Sequence, residues 1–424
     1  MSATSGVSSL FSTTRFNLIS KIGRRVGGYG SSIILSSLVN LAVVPIVISF
    51  AGSSAWGGIA VAQSIASLGF VLVAFGWGVT GPSAVAGREF HLRGQFFVDS
   101  VIARTCLFVV VGPLVLLLVW LLAPGNAVAN IFVALAALLP ALGSSWFFVG
   151  ERRPWRLLFM ENIPRAIGTA AGASILIATG NIVWFAALQS VGALLAIILA
   201  GCDVARRHPG FRLTVSLKSV SNGLRSQASG MVAASTAALY VNLPLVLIAA
   251  FVPQATAVYA LADKLLKFSL AAYSPIVQVA QGYVPNRNAE VHRARAKLAL
   301  RLSLIVGAIG GGCYITIAPW AAGVLSAGVL VVPLAVTVPL GIAFASIAVS
   351  AVVGLACLTA FGAIRKVAIS TIIGVLFGVP LTVLGGLFFG LVGIAWGMAI
   401  SELIVAVYQV LQLRAFTVGP NVLN

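Results

Sequence analysis

From Tyr29 almost to its C-terminus the chain is a succession of apolar runs, most of them about 20 residues or longer, with little polar sequence between them. A soluble domain has no surface on which to leave so much apolar side chain. In a bilayer, by contrast, each run becomes a helix whose backbone N–H and C=O groups are satisfied within the segment. The composition agrees, being 60% hydrophobic and 8% charged with a mean hydropathy of +1.09. The expected fold class is therefore all-α integral membrane. At roughly 35 residues for a span and its loop, 424 residues make about twelve spans.

The predicted spans are 29–51, 56–82, 96–123, 127–149, 157–178 and 182–200, then 228–251, 255–285, 302–320, 330–361, 367–389 and 391–413. The islands between them alternate between basic and uncharged. Arg88 and Arg93, then Arg152, Arg153 and Arg156, then Arg206, Arg207, Arg212, Lys218 and Arg225 mark successive loops on one side. Arg287, Arg293, Arg295, Lys297 and Arg301, then Arg365 and Lys366, and finally Arg414 continue that side, whereas loops such as 52–55 and 124–126 carry no Lys or Arg. By the positive-inside rule every basic loop and both termini are expected to be cytoplasmic, and the expected localisation is the cell (inner or plasma) membrane, as a multi-pass protein. Trp56, Trp120, Trp184 and Trp320 fall at outer helix ends, as an interfacial aromatic belt or core packing would place them.

The net charge of +18 would suit a nucleic-acid binder only if Lys and Arg lay on a soluble face; here they sit between spans, so nucleic acid is not an expected partner. Residues 1–28 are rich in Ser and Thr and then basic, without an apolar core and cleavage site, and are expected to form a cytoplasmic tail or an interfacial amphipathic helix. Cys106, Cys202, Cys313 and Cys357 show no metal-ligand spacing and read as reduced packing residues.

The longest polar stretch, 202–227, is a cytoplasmic linker that divides the chain into a first six-helix bundle at 29–201 and a second at 228–413, with 414–424 as a tail. Six spans begin and end on one side, so the halves are expected to be parallel repeats about an axis along the membrane normal. Asn40-Leu41 with Pro45 and Phe50 is echoed by Asn242-Leu243-Pro244 with Phe251.

No Walker, HExxH, GxSxG or kinase pattern occurs, and His91, His208 and His292 all lie in cytoplasmic loops. The short outer loops leave no room for the site of a membrane polymerase or ligase. An enzyme is not expected, and no cofactor is called for. The informative residues are the ionisable ones within spans, since a charge at the bilayer centre costs about 2.5 to 3.5 kcal/mol and persists only with a partner or a wet cavity. These are Arg104, Arg165, Lys264 and Lys267 against Asp99, Glu161, Asp263 and Glu402.

On span eight, Asp263, Lys267, Ser274, Gln278 and Gln281 fall within one narrow strip at helical spacing, which lipid cannot face. Lys267 lies twelve residues from the outer end, about 18 Å into the membrane. Either the strip lines a water-filled cavity, or Asp263 and Lys267 are an i,i+4 pair that only joins helices. Glu161 and Arg165 have the same spacing around Pro164 and read equally as a structural pair or a binding site. Arg104 either lines the cavity or snorkels inward, and Glu402 in span twelve either takes protons or pairs with a neighbour. The candidates for substrate contact are Lys264, Lys267, Arg104, Arg165, Asn40, Asn242 and Gln278; those for ion coupling are Asp263 and Glu402. Pro45, Pro113, Pro140, Pro244, Pro275 and Pro380 interrupt spans as bundle interiors allow, and Gly393 and Gly397 predict close helix packing.

Several stretches resemble the Wzx-type polysaccharide flippases of the multidrug/oligosaccharidyl-lipid/polysaccharide exporter superfamily. They are Gly52-Ser-Ser-Ala-Trp-Gly57-Gly-Ile-Ala60 with Phe75-Gly-Trp-Gly78, Trp146-Phe-Phe-Val-Gly150 before a basic loop with Arg165 beyond it, and Tyr259-Ala-Leu-Ala-Asp263-Lys264-Leu with Pro275-Ile-Val-Gln278. The resemblance implies two six-helix bundles in a V that carry an undecaprenyl-diphosphate-linked oligosaccharide to the outer leaflet by alternating access, with ion coupling. It also implies the lipid-linked glycan, membrane lipids and other membrane proteins of polysaccharide assembly as partners. Such flippases have a cationic lumen, whereas the intramembrane charges here balance, four against four. Lipid II flippases are similar but have two further helices, and the drug-extruding branch shares the fold; a drug or cation exporter is the alternative, and a glycan polymerase or ligase a more distant one.

Overall fold

The structure of the protein, a computed structural model, describes residues 5–209, 217–286 and 288–418, and every regular element among them is helical. Arg212, Arg287 and the last six residues lie outside the described residues. In chain order the helices are α1 (Ser5–Ala74), α2 (Trp77–Ala86), α3 (Phe90–Leu122), α4 (Ala127–Leu138), α5 (Ser145–Gly150), α6 (Pro154–Leu157) and α7 (Ile163–Thr179). They continue as α8 (Ile182–Arg207), α9 (Leu217–Phe251), α10 (Thr256–Tyr283), α11 (Ala289–Leu325), α12 (Leu334–Val352) and α13 (Ile364–Val418). Residues 5–28, expected to precede the first span, are the opening turns of α1.

Seven helical stretches among the described residues are long and apolar enough to cross a membrane, which makes this a multi-pass helical membrane protein. Two of the seven, Leu38–Ala86 and Ile364–Thr417, run to 49 and 54 residues, more than twice the ~20 a single crossing needs. Each is interrupted at a glycine in a conformation that side-chain-bearing residues avoid, Gly52 (φ 87°, ψ 166°) and Gly390 (φ 57°, ψ −136°). In α13 the two arms fold back on each other. Gln409 donates to the Ser370 hydroxyl at 2.8 Å, Ser401 to the Gly374 carbonyl at 2.9 Å, and a Cβ on Gly393 would lie 2.0 Å from the Gly385 oxygen. Those pairings step inward symmetrically toward Gly390, the signature of an antiparallel hairpin. The predicted division between 389 and 391 is therefore a real turn, and Gly393 and Gly397 do pack closely, the latter against Leu381.

The same small-residue contact builds two other hairpins. A Cβ on Gly168 would meet Gly192 and one on Gly172 would lie 2.6 Å from the Phe185 oxygen, so α7 and α8 pair about Gly180. Gly307 against Ala345 and Gly311 against Gly341 pair α11 with α12. Lipid tails offer no solvophobic drive for helices to associate, so close backbone approach supplies the dispersion contact instead. α10 is long enough to cross but too polar to count among the seven, which is the effect of its charged and amide positions.

Three spans carry irregular backbone among the described residues, one of them through a π turn at Val353–Leu358 after α12. After α4 a 3₁₀ turn at Leu139–Leu142 ends in extended Gly143, and α5 restarts at Ser145; Pro140 and the Gly143-Ser144-Ser145 sequence are the breakers. Between α6 and α7 a π turn covers Leu158–Asn162 just before Pro164, whose missing N–H and bulky ring such a turn accommodates.

Contacts group the chain into two compact units. The first holds the described residues up to Val43, Gly69–Leu114 and Leu135–Ala234; the second holds Val44–Leu68, Val115–Ala134 and the described residues from Ser235 onward. The first has an aromatic core of Trp77, Phe97, Trp146, Phe147 and Phe148. Trp120, Trp184 and Trp320 are exposed near helix ends, while Trp56 is buried. The four cysteines are unpaired, and only Cys357 is buried.

Candidate functional site

Within the second unit, α10 carries Asp263 and Lys264 side by side and Lys267 one turn further on. Asp263 is 6% exposed, and its carboxylate lies 2.7 Å from the Lys267 ammonium, whose side chain is 39% exposed. This is the predicted i,i+4 pair, with the acid buried and the base reaching outward. Lys264 has no such partner: among the described residues no carboxylate lies within ion-pair distance of it. Its ammonium instead sits over the ring of Trp56, 4.8 Å from the centroid. Gly57 allows this, because a Cβ there would lie 3.2 Å from the Ala257 nitrogen, so the α1 arm abuts the first turn of α10. Tyr314 closes the buried side by donating to the Ala262 carbonyl at 2.7 Å. Further along α10, Ser274, Gln278 and Gln281 are exposed, so the strip is polar and accessible beyond the buried Asp263. Two cations and one anion leave this site with a formal charge of +1.

Asn242 turns back on its own helix, donating to the Ala238 carbonyl at 2.9 Å, and Asn40 is exposed in the first unit. Glu402 is buried beside Ser401 and has an interaction partner of its own.

In the first unit Arg104, 1% exposed, donates through Nη1 to the carbonyls of Ala141 and Gly143, each at 2.8 Å, and through Nε and Nη2 to Ser100. Fully buried Glu161 accepts from the Ser144 backbone N–H and from Arg165. The break in span four explains both. Ending a helix at Leu142 leaves carbonyls open, and restarting one at Ser145 leaves N–H groups open. A cation on the first and a carboxylate on the second satisfy these groups and match the two helix dipoles. Arg104 and Glu161 are thus engaged in holding the broken backbone, and Arg165, 32% exposed, is held by Glu161. Sequence reading singled out all three, and Pro140 as an interruption of the span, but not that the interruption organises them.

Sequence reading also missed a charged cluster at the end of α8. His208, 3% exposed, donates from Nε2 to Glu151 at 2.7 Å; Arg207 binds Glu151 and, at 2.9 Å, Asp203; and Arg156 binds Asp203. Burial alone would raise the Glu151 carboxyl, but the hydrogen bonds and charges of Arg207 and His208 outweigh it and hold the group below its ordinary 4.5. Spacing gave no hint, since Glu151 and His208 are 57 residues apart.

No family profile and no curated protein sequence matches the chain. Solved structures do. A lipid II flippase, MurJ, in an inward closed conformation superposes with a TM-score of 0.67 at 12% identity, over 92% of this chain and 90% of that one. A Vibrio cholerae MATE transporter gives 0.55 at 15% identity, over 93% and 97%. An outward-facing multidrug resistance MATE family transporter of the MOP superfamily gives 0.51 at 12%, over 94% and 96%. The chain therefore has the membrane-transporter fold these proteins share.

Proposed function

We propose that this chain is a flippase that moves an undecaprenyl-diphosphate-linked oligosaccharide from the cytoplasmic to the outer leaflet by alternating access, as the Wzx-type branch of the exporter superfamily does. The observation that carries the reading is the net-positive site on α10: an accessible Lys267 paired with buried Asp263, beside a Lys264 that no carboxylate neutralises. A diphosphate entering the membrane needs cations to replace its hydration, while its prenyl tail can stay in lipid. Lysine acts as a point charge without Arg's bidentate grip, which suits an anion that must also be let go. The MurJ-like fold supports a lipid-linked substrate, and the twelve-span, two-bundle arrangement with both termini cytoplasmic is part of the same proposal.

Asp263 and Glu402, two buried acids of the second unit, are the proposed coupling groups, Asp263 by exchanging Lys267 for an incoming cation or proton. A drug or cation exporter of the same fold is the second reading, favoured by the MATE superpositions and disfavoured by the positive site, since a cation would meet two lysines there. Reconstitution in proteoliposomes separates them: a flippase moves prenyl-diphosphate-linked oligosaccharide between leaflets, and an exporter moves a cationic dye and leaves the glycolipid where it was.

A further inference from the structure

We infer that Trp56 is a positioning residue of this site: its ring face holds the Lys264 ammonium where a carboxylate would otherwise stand, so that the lysine pair keeps one positive charge for an anion. The inference rests on the proposed diphosphate site and goes beyond it in assigning a role to a residue that, from sequence, fits an interfacial belt or core packing.

Two lysines one turn apart on α10 meet unequal partners. Lys267 is neutralised by Asp263 at 2.7 Å, and an anion must displace that carboxylate to use it. Lys264 is met at 4.8 Å by an aromatic face. A π face attracts an ammonium through its quadrupole without cancelling its charge, so the lysine is both held and left positive. A carboxylate in that place would make the site neutral and oblige the substrate to break two ion pairs. With no partner at all, the four-carbon side chain would have to be ordered each time an anion arrived, which weakens binding.

The ring is well fixed for this task. Trp56 is 1% exposed, and the close approach at Gly57 sets its backbone against α10 two turns before Lys264. Its indole N–H has no acceptor among the described residues. Packing and the ammonium, and no hydrogen bond of its own, therefore define where the ring sits. Trp120, Trp184 and Trp320, exposed at helix ends, are where interfacial tryptophans belong; Trp56 is the one withdrawn to meet a charge.

The test uses full-length protein in detergent, with farnesyl diphosphate as probe and farnesol as its uncharged control. Wild type should bind the diphosphate and not the alcohol. Trp56→Phe keeps a π face and should stay within about threefold of wild type, whereas Trp56→Leu should bind about tenfold more weakly at an unchanged melting temperature. A Leu variant that binds like wild type overturns the inference and leaves the site standing; a wild type that ignores farnesyl diphosphate overturns the proposed site itself. Should Trp56→Leu fail to fold, tryptophan emission decides. The wild-type minus Trp56→Phe difference spectrum should shift when Lys264 is replaced by Met and when the diphosphate binds. A difference spectrum indifferent to Lys264 overturns the inference.

Discussion

The Lys267 ammonium lies 2.7 Å from the Asp263 carboxylate, with the acid buried and the base 39% exposed. The pair thus serves two ends at once: it lets a buried carboxylate persist in the membrane, and it offers an incoming anion a cation that can be turned outward. Whether it binds substrate or only joins helices depends on what happens when each half is removed.

Asp263→Asn removes the competitor for Lys267 and raises the site charge. Affinity for farnesyl diphosphate should rise about three- to tenfold, ~0.7–1.4 kcal/mol, while flipping slows because release becomes harder. Isothermal titration beside a transport assay checks both. Unchanged affinity would mean that Lys267 never meets the anion.

Arg104→Gln leaves the Ala141 and Gly143 carbonyls without their cation. Removing one member of such a network costs about 3–5 kcal/mol, so melting temperature and expression should fall together. Arg104→Lys should recover only part, since one ammonium cannot span both carbonyls and Ser100 as the guanidinium does. Normal melting of Arg104→Gln with impaired glycolipid binding would move this residue from scaffold to binding site.

Glu151 is held below 4.5, so its contribution to stability is full above that value and is lost as pH falls through the lower folded value. Glu151→Gln should therefore lower the melting temperature at pH 7, and the difference from wild type should shrink as pH drops below 4.5. A gap independent of pH would mean that the Arg207 and His208 contacts contribute no net charge stabilisation.

Gly393→Val should disrupt the α13 hairpin, because its Cβ would lie 2.0 Å from the Gly385 oxygen. Gly312→Ala, in a helix with nothing within 4 Å of the added methyl, should be neutral or slightly stabilising, by up to ~1 kcal/mol. Thermal melting of the two variants in one detergent distinguishes packing from general intolerance of the glycines.

Much of this was legible in the sequence because the bilayer leaves few options. Apolar run length marked the hairpin arms, and the 389–391 division fell on the non-helical Gly390. The i,i+4 pairs Asp263–Lys267 and Glu161–Arg165 formed as helical periodicity requires. Contacts between distant segments were beyond reach. Nothing in the spacing of Trp56 and Lys264, or of Glu151 and His208, indicates that they meet, and a tryptophan near a helix end reads first as an interfacial anchor. The Arg104 contacts depend on a backbone break that hydropathy does not register, since Ala127–Gly150 still averages as one apolar span despite Ser144 and Ser145.

On the proposed reading the α10 lysines carry a diphosphate across the membrane. The most direct measurement is leaflet exchange of a prenyl-diphosphate-linked oligosaccharide in proteoliposomes, comparing wild type with the Lys264→Met, Lys267→Met double variant at matched reconstitution and melting temperature. We predict rapid exchange by wild type and at least a tenfold loss in the double variant, a difference of ~1.4 kcal/mol or more. Wild-type exchange by the double variant would contradict the account and leave both lysines as structural charges.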